Sequence, residues 1–376
     1  MTSNAVCSHP KGPQMDDLDG VLSDPSTFSV TELALAARNH GMPLEAMHYD
    51  ITPAGLHYLL LHYDIPVVAP DAFRLRIGGR VRAAVELTLD DLRARPATTI
   101  PVTMECAGNG RAHMAPRPLS QPWLDEAVGT GLWTGCSLAA LLDEVGVFDD
   151  AVDVVFSGAD RGIEGGTEQR YERGLPVAEA RRPEVLLAYE MSGMPLLPQH
   201  GAPLRLVVPG WYGMTNVKWL TDIRIDDVPF DGYQHRSAYR MRHDRDDAGV
   251  PLTRMRPRAL MVPPGIPDFP TRARRVPTGS QTLHGRAWSG AGAVAGVDVS
   301  TDGGRTWAAA ELDEPVGPFA WRGWSFTWAP TAAGEHELRC RARDADGVQP
   351  DGAEWNVGGY ANNAVQRVVV TVTGPT

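Results

Sequence analysis

The hydrophobic period changes along the chain, and this change constrains the fold more than any other feature of the sequence. From about residue 279 onward, apolar and polar residues alternate in short runs that are separated by turn residues. Residues 294–312 hold two such runs around an Asp-Gly-Gly turn, which is the pattern of a β-hairpin. Similar runs occupy residues 319–330, 336–347 and 363–372. Short strands of this kind over ~100 residues predict an all-β, immunoglobulin-like sandwich for residues 279–376.

In the first half of the chain, hydrophobic spacings typical of helices and of strands are mixed. Apolar residues recur at helical spacing in two segments, residues 29–41 and 137–147. Short β-branched runs and alternating runs predict strands in residues 151–158, 204–210 and 216–226. In the last of these, Val217, Trp219 and Ile223 share the predicted buried face. We therefore predict a mixed α+β domain over residues 29–245, which places the whole chain in the α+β class.

Two segments match neither domain. Residues 1–28 form a polar N-terminal tail that lacks the apolar core of a signal peptide, so we expect a cytoplasmic protein. Residues 246–278 are rich in proline, arginine and aspartate. That composition predicts a connection between the two domains.

Charge and cysteine content narrow the classes of function. The 376 residues carry 35 basic and 46 acidic side chains, which gives a formal net charge of −11. This balance argues against nucleic acid and acidic membrane surfaces as partners and leaves small molecules open. No run approaches the roughly 20 apolar residues of a membrane span. The cysteines include no CxxC pair, which favours free thiols in a reducing compartment: Cys7, Cys106, Cys136 and Cys340.

Cys106 stands out from the other cysteines, because it ends an apolar run and opens a Gly-Asn-Gly loop. A cysteine is most often a buried structural residue, as we expect for Cys136 and Cys340. A glycine-rich loop, however, lets backbone N–H groups approach an anionic ligand, and Arg111 would favour the thiolate. A thiolate is also a soft metal ligand. Local chemistry leaves a metal ligand and a nucleophile both open, while the absence of a nearby Cys or His disfavours a zinc site.

The loop sequence VTMECAGNGR resembles the cysteine motif of the sulfite oxidase family of molybdenum enzymes. The segments that carry this resemblance are residues 102–111 and 184–220 in the first domain, and residues 298–307, 320–324 and 354–368 in the second. They occur in the family's order over residues 45–376. The resemblance implies an α+β molybdopterin-binding domain followed by an immunoglobulin-like dimerisation domain. The two-domain organisation predicted from periodicity agrees with it.

The resemblance also implies a molybdenum–molybdopterin cofactor, with Cys106 as the only protein ligand to the metal. The cofactor-binding residues that it implies are Leu61, His62, Tyr63, Asp160, His200, Arg205, Asn216, Val217 and Lys218. Arg205 and Lys218 suit a phosphate, because cations neutralise its charge and donate to its oxygens. Asp160 suits a pterin N–H group. His57 lacks support from these motifs, and we expect it to be structural.

A second set of positions bears on the substrate. Sulfite oxidases gather arginines around the substrate oxyanion, and the resemblance implies that Arg111 matches one of them. His62 and Gly358 replace two others, and Gly110 replaces a further arginine. Tyr239 matches a family tyrosine near the metal. Fewer charge-assisted contacts weaken oxyanion binding, although a protonated His62 would recover part of it as the pH falls toward about 6.

The leading interpretation is a molybdenum-dependent oxidoreductase that moves an oxygen atom to or from a small sulfur compound. The short tail and the lack of a haem-attachment motif predict no haem, so electrons would be exchanged with a separate protein. The alternatives are a reductase of a sulfoxide or N-oxide on the same cofactor, a non-catalytic binding protein on the same scaffold, and a cysteine-nucleophile enzyme. We expect a symmetric homodimer through the second domain. The aromatic residues within 319–328 are available for that interface or for the domain's own core.

Overall fold

The computed structural model describes residues 28–374, so Cys7 and nearly all of the predicted polar tail lie outside the described residues. The α-helices are α1 (Val30–Arg38), α2 (Leu89–Arg93), α3 (Leu138–Val145), α4 (Val177–Ala180) and α5 (Tyr233–Arg236). Single turns of 3-10 helix span Leu44–His48, Ala54–Leu56, Pro70–Ala72, Arg111–His113, Pro198–His200 and Gly213–Thr215. Within residues 28–374, no helix has the length and apolar content needed to cross a membrane.

The strands of the first domain, in chain order, are β1 (Leu75–Gly79), β2 (Val85–Leu87), β3 (Ala97–Glu105), β4 (Val128–Ser137), β5 (Asp153–Glu164), β6 (Thr167–Pro176), β7 (Leu186–Met191), β8 (Met194–Pro195), β9 (Arg205–Val207), β10 (Leu220–Asp226) and β11 (Arg240–Met241). Those that follow are β12 (Val250–Pro251), β13 (Arg258–Met261), β14 (Ile266–Pro267), β15 (Arg274–Pro277), β16 (Gln281–Trp288), β17 (Gly296–Ser300), β18 (Ala308–Ala309), β19 (Glu311–Leu312), β20 (Arg322–Trp328), β21 (Gly334–Arg343) and β22 (Gln366–Thr373).

Both helices predicted from apolar spacing are confirmed. α1 begins after Ser29, and the side chains of Ser29 and Glu32 each accept the other's backbone N–H, which forms a capping box. α3 begins after Ser137, whose side chain accepts from the Ala140 N–H. It ends at Gly146, where φ is 66°. Glycine adopts this left-handed conformation without a Cβ penalty, which explains why the helix ends there.

Two sheets form the first domain. One has the strand order β2-β1-β10-β5-β6, and the other has the order β3-β4-β7-β8 with β9 paired to β7. Only β1 and β10 are parallel among the pairs of the first sheet. A cluster of buried apolar residues joins strands of both sheets to α3. The end of β3 therefore sits on a packed framework, and the candidate site begins there.

The strand predicted over residues 216–226 is shorter than expected. β10 begins at Leu220, because Trp219 has a φ of 49°, which extended backbone does not allow. Val217, Trp219 and Ile223 are nevertheless all buried, as the pattern predicted.

The second domain is a sandwich of two sheets. One has the order β13-β16-β20-β19, and the other has the order β14-β15-β22-β21-β17-β18. Antiparallel pairing of β17 with β18 confirms the hairpin predicted over residues 294–312. Cys340 lies in the apolar core of this sandwich and Cys136 in that of the first domain, so both are structural thiols, as predicted. Residues 246–278 do more than connect the domains, because β13 and β15 pair with β16 and β22.

The three tryptophans within 319–328 are buried inside the chain. Trp324 and Trp328 belong to the core of the sandwich. Trp321 is fully buried between the domains, and its N–H donates to Thr103 Oγ1 at 2.6 Å. These tryptophans fill the chain's own interior, so they do not support a dimer interface.

Candidate active site

Cys106 begins a tight loop directly after β3. Its N–H donates to the Ala127 carbonyl at 2.9 Å, and its carbonyl accepts from the Asn109 N–H at 2.9 Å. The residue is 6 % exposed. Burial raises the pKa of the Cys106 thiol and the nearby Arg111 guanidinium lowers it, with a net shift upward. The thiol therefore stays protonated at neutral pH unless a metal displaces its proton.

The two glycines of this loop make room for protein groups. A Cβ at Gly108 would lie 2.4 Å from a guanidinium nitrogen of Arg111. Gly110 has a φ of 84°, and a Cβ there would lie 3.0 Å from the Asn362 side chain. The sequence interpretation assigned both glycines to the approach of an anionic ligand. Close packing of Arg111 and of a second-domain residue explains them directly.

Residues of the second domain hold the loop in place. The Ala361 N–H donates to the Ala107 carbonyl at 2.7 Å. Asn362 Nδ2 donates to the Gly110 carbonyl at 2.6 Å. The geometry of the loop that carries Cys106 therefore depends on contacts across the domain boundary.

Glu105, the residue before Cys106, lies in a buried charged network. Its carboxylate accepts from Arg258 at 2.9 Å, from Trp288 Nε1 at 2.9 Å and from Asn109 Nδ2 at 3.0 Å. Burial raises the pKa of Glu105, while Arg258 lowers it. Arg258 also contacts Asp125 at 2.5 Å. One arginine from β13 thus forms ion pairs with two carboxylates of the first domain.

A cavity with about 630 Å³ of empty space lies beside the Cys106 thiol. It brings together eight residues predicted from the family resemblance: Cys106, His62, Asp160, His200, Arg205, Asn216, Lys218 and Tyr239. Residues from the segment around Leu60 and from the turn at Met214 complete the wall.

Three predicted cofactor-binding residues do not line this cavity. Tyr63 and Val217 are buried in the apolar core of the first domain. Leu61 is held by its N–H, which donates to Asn39 Oδ1 at 2.7 Å. His62 lies on the cavity wall, whereas Leu61 and Tyr63 do not. The side chains of Leu61, Tyr63 and Val217 therefore do not line the cavity, and the cofactor-binding role of these three residues stays a prediction.

Arg205 and Lys218 give the cavity positive charge, and no carboxylate among residues 28–374 forms an ion pair with either. Arg205 donates to the carbonyls of His200 and Asn216 at 3.0 and 3.2 Å. Lys218 Nζ donates to the Leu60 carbonyl at 2.7 Å. Burial lowers the pKa of Arg205 to about 10 and that of Lys218 to about 7. An anionic ligand would offset the cost of burying these charges.

Several buried polar atoms in this region have no protein partner: His57 Nε2, Asp160 Oδ1, Arg205 Nε and Thr215 Oγ1. Buried polar atoms are usually hydrogen-bonded, so this group indicates a ligand that both donates and accepts. Burial raises the pKa of Asp160 to about 6. Cations suit phosphate oxygens, a carboxylate suits ring N–H groups, and a thiol suits a soft metal. These residues therefore fit a molybdenum–pterin group.

The metal itself would need ligands beyond Cys106. Within the described part of the chain, no cluster of three or more His, Cys, Asp or Glu side chains is arranged to hold a metal ion. A pterin that brings its own sulfur ligands meets this requirement, whereas a bare ion does not.

His57, which the sequence analysis expected to be structural, lies at the cavity. Its ring lines the cavity and lies 5.7 Å from the His200 ring, nearly perpendicular to it. A Cβ at Gly129 would lie 2.7 Å from this ring, so a glycine in β4 makes room for it. Burial lowers the pKa of His57 to about 4. The available signal was its place on the same segment as His62, close in sequence.

His62 and Tyr239 meet on the cavity wall, where His62 Nε2 and the Tyr239 hydroxyl are hydrogen-bonded. Tyr239 has a φ of 52°. Such strain in a non-glycine residue often occurs at functional sites. Burial lowers the pKa of His62 to about 3, and Lys218 and Arg173 add to this shift. His62 is therefore expected to stay neutral near pH 6, which argues against the predicted recovery of oxyanion binding by its protonation.

Arg111 and Gly358 lie together outside the cavity wall. Arg111 Nε donates to the Gly358 carbonyl at 3.0 Å, and Nη1 donates to the Gln121 carbonyl at 2.8 Å. The structure thus joins these two predicted positions through a backbone carbonyl. Gly110, the other position at which the sequence analysis found a replaced arginine, accepts a hydrogen bond from Asn362 through its carbonyl.

The fold and the cavity together define a molybdopterin-binding class of protein. A family model described as "Oxidoreductase molybdopterin binding domain" matches residues 62–234. A second, described as "Mo-co oxidoreductase dimerisation domain", matches residues 269–373. These two matches fall on the α+β domain and on the sandwich.

Similarity to individual proteins identifies the family to which the chain belongs. It is 37 % identical to human mitochondrial sulfite oxidase over 350 residues, which cover 86 % of this chain and 62 % of that protein's length. It is 34 % identical to sulfite oxidase of Gallus gallus over 334 residues, covering 84 % of this chain and 72 % of that protein. The solved structure of the sulfane dehydrogenase SoxCD from Paracoccus pantotrophus matches with a TM-score of 0.77 and 26 % identity, over 99 % of this chain and 96 % of that one. The chain belongs to the sulfite oxidase family of molybdopterin-dependent oxidoreductases.

Proposed function

We propose that this protein is a molybdenum-dependent oxidoreductase. It transfers an oxygen atom to or from a small sulfur compound and exchanges electrons with a separate protein. The observation that carries the proposal is the buried Cys106 thiol on a cavity whose cations, Arg205 and Lys218, form no ion pair with any carboxylate that the structure describes. Relatives named sulfite oxidase and sulfane dehydrogenase support a sulfur compound as substrate.

The cavity residues divide by chemistry. Cys106 is the protein ligand to molybdenum, because its thiolate is the softest donor on the wall. Arg205 and Lys218 bind the phosphate of the cofactor, since both are buried cations that need an anion. Asp160 Oδ1 and His57 Nε2 bind polar atoms of the pterin, because each is buried and unpaired.

His200 and Asn216 act mainly by placing other groups. The Asn216 side chain accepts from the Val208 N–H at 2.7 Å and donates to the Tyr212 carbonyl at 3.3 Å. Its carbonyl and that of His200 accept from Arg205. Both residues therefore orient the guanidinium toward the cavity.

When bound, the cofactor supplies the two-electron redox chemistry of oxygen-atom transfer. The chain orients the substrate and controls the protons beside it. Burial raises the pKa of Tyr239 and lowers that of His62, so the proton between them stays on the Tyr239 oxygen. The Tyr239 phenol is then a hydrogen-bond donor, and the His62 Nε2 atom accepts from it. Burial raises the pKa of the Cys106 thiol overall, and Arg111 opposes that shift, which favours the thiolate that a metal binds.

The second domain forms a symmetric homodimer in this proposal, and the match of residues 269–373 to a dimerisation domain supports it. Light scattering at micromolar concentration tests this part. A mass near the 40.7 kDa of one chain at every accessible concentration would contradict it. The free cysteines Cys106, Cys136 and Cys340 support a reducing compartment such as the cytoplasm.

The deciding experiment is molybdenum and pterin analysis of the purified protein, followed by a dye-coupled screen of sulfur compounds. We expect stoichiometric metal and pterin in the wild type and in Cys340→Ser, and neither activity nor metal in Cys106→Ser. Low metal content after expression with ample molybdate would instead support a binding protein. Alkylation of Cys106 in the purified protein would support a cysteine nucleophile, because ligation protects the thiol.

A further inference from the structure

A second cleft opens on the chain, apart from the cavity beside Cys106. It lies between β6, α5 and the residues around β12, and it has about 1250 Å³ of empty space, counting its open mouth. It shares no lining residue with the cavity beside Cys106. Part of its wall is apolar and includes Trp211, Phe230 and Leu252. The proposed function makes no use of this cleft.

Four guanidinium groups line this arginine cleft, those of Arg173, Arg236, Arg240 and Arg242. Two carboxylates, Asp153 and Asp231, line the same wall. Asp153 is already engaged, because its Oδ2 atom accepts from the Phe230 N–H at 2.8 Å. The ring of His235 also lines the cleft and is neutral at pH 7, because burial lowers its pKa to about 3. The wall therefore carries a net positive charge.

Arg173 is the most buried of the four arginines, with 2 % of its surface exposed. Its Nη1 atom donates to the Gln234 carbonyl, and its guanidinium carbon lies 5.4 Å from the centroid of the Tyr239 ring. Its Nε atom has no hydrogen-bond partner. No carboxylate among residues 28–374 forms an ion pair with it, and burial lowers its pKa. An anion in the cleft would offset the cost of burying this charge.

Arg240 and Arg242 differ in how many of their N–H groups are already paired. Arg240 donates to three backbone carbonyls at 2.6–3.1 Å, so it adds charge to the wall but has little capacity left for a ligand. Arg242 donates through Nη2 to the Arg236 carbonyl, and its Nε atom is buried without a partner. Arg173 and Arg242 thus both keep unpaired N–H groups while they line one cleft.

Packing fixes the aromatic part of the wall. A Cβ at Gly174 would lie 2.9 Å from the Phe230 Cβ, so a glycine in β6 lets Phe230 pack closely. The Phe230 ring meets the His235 ring edge to face, with their centroids 5.2 Å apart. Trp211 is 7 % exposed, and its Nε1 atom donates to Glu179 at 3.1 Å. The aromatic surface is therefore formed before a ligand binds, which favours a rigid apolar ligand.

We propose that the arginine cleft binds an organic anion that has one carboxylate and an aromatic body. The carboxylate pairs with Arg173 and Arg242, because charge-assisted hydrogen bonds suit their unpaired N–H groups. The aromatic body packs against Phe230 and Trp211. The two carboxylates on the wall disfavour a ligand with several negative charges. Since the cleft and the cavity beside Cys106 share no lining residue, this site does not depend on the proposed function.

Calorimetric titration of the purified protein with benzoate tests this site. Benzamide keeps the ring but lacks the charge, and inorganic sulfate keeps a negative charge but lacks the ring. Arg173→Met and Arg242→Met each remove one guanidinium from the cleft. Arg161→Met is the matched control, because the Arg161 side chain is 64 % exposed and lies outside the cleft. Circular dichroism melting curves check that each variant is folded.

We expect benzoate to bind the wild type with one-to-one stoichiometry. Benzamide should bind at least ~10-fold more weakly, because it lacks charge-assisted hydrogen bonds. Sulfate should also bind more weakly, because it buries no apolar surface. Arg173→Met and Arg242→Met should each weaken benzoate binding by ~10-fold or more, and Arg161→Met should leave it unchanged.

Equal affinities for benzoate and benzamide would overturn the proposal, and so would a lack of saturable benzoate binding at millimolar concentration. Sulfate that binds as tightly as benzoate would contradict it as well, because the aromatic contacts would then contribute nothing. If Arg173→Met does not fold, Arg242→Met decides, since Arg242 is only partly buried. Unchanged benzoate affinity in folded Arg242→Met would place the ligand elsewhere and refute the site.

Discussion

Replacing Arg258 with methionine tests how far the second domain determines the geometry of the metal-ligand loop. Arg258 lies in β13, is 1 % exposed, and contacts Glu105 at 2.9 Å and Asp125 at 2.5 Å. Its guanidinium also donates to the Asn362 carbonyl at 2.9 Å. Methionine keeps much of the apolar stem but removes the charge and every donor. Glu105 immediately precedes Cys106, so the loss acts directly on the loop.

Breaking a buried ion pair by removing one partner costs about 3–5 kcal/mol, because the other charge stays buried without compensation. The Asp125 side chain is 16 % exposed, so water offsets part of its loss, whereas Glu105 is 3 % exposed as a whole residue. We therefore expect Arg258→Met to lower the free energy of unfolding by about 3 kcal/mol at pH 8.

The deficit should shrink as the pH falls. Without the arginine, the pKa of folded Glu105 rises further above its unfolded value, since the opposing cation is gone. A carboxyl with a raised folded pKa destabilises the fold when it is ionised, and the penalty is relieved as the group takes up a proton. The difference between variant and wild type should therefore be larger at pH 8 than at pH 5.

Guanidinium unfolding followed by circular dichroism measures the stability, and elemental analysis measures retained molybdenum. Arg274→Met is the matched control, because Arg274 also crosses the domain boundary but pairs with Glu45, whose side chain is 46 % exposed. That pair should contribute less than ~1 kcal/mol. The reasoning would be refuted if both variants lost the same free energy of unfolding. It would also be refuted if Arg258→Met stayed within ~1 kcal/mol of the wild-type stability and kept a normal molybdenum content.

Three further predictions concern the cavity. Cys106→Ser should lose molybdenum, because a hydroxyl is a harder and less acidic ligand, while its apoprotein should melt near the wild-type temperature. The control Cys340→Ser should keep the metal but lose ~1–3 kcal/mol of stability, because it buries a hydroxyl in the apolar core. His57→Phe should retain pterin ~10-fold less well during dialysis, because it fills the volume but removes the unpaired Nε2 atom. The apoprotein should lose stability as the pH falls from about 7 to about 5. Folded His62 and His200 have pKa values of about 3, whereas a histidine in the unfolded chain has a pKa of about 6.5. The unfolded chain therefore binds more protons in that pH range.

Each of these predictions has a contrary outcome. Bound molybdenum and full activity in Cys106→Ser would end the ligand assignment. Pterin loss from His57→Phe no faster than from the wild type would show that its Nε2 atom does not contact the cofactor. An apoprotein whose free energy of unfolding is flat between about pH 7 and about pH 5 would mean that His62 and His200 already carry protons when folded.

Much of the fold followed from local pattern. The alternation over residues 294–312 predicted a hairpin, because side-chain period and turn chemistry are properties of neighbouring residues. Trp219 shows a limit of prediction from local pattern. Its left-handed backbone shortens a strand that the alternation had extended, and packing, not local propensity, holds that conformation.

For the candidate site, the sequence by itself determined which residue types and motifs are present, including the Cys106 loop and the cations Arg205 and Lys218. Only the tertiary structure decided that His62 faces the cavity while Tyr63 does not.

The tertiary structure also decided the surroundings of the positions that the resemblance singled out. The resemblance could show that Gly358 replaces an arginine, but not that the Tyr360 ring occupies the space. It could show an ionisable His62, but not a pKa of about 3. Burial, ring contacts and pKa shifts depend on groups brought together from distant parts of the chain, and the spacing of residues along a sequence carries no record of those distances.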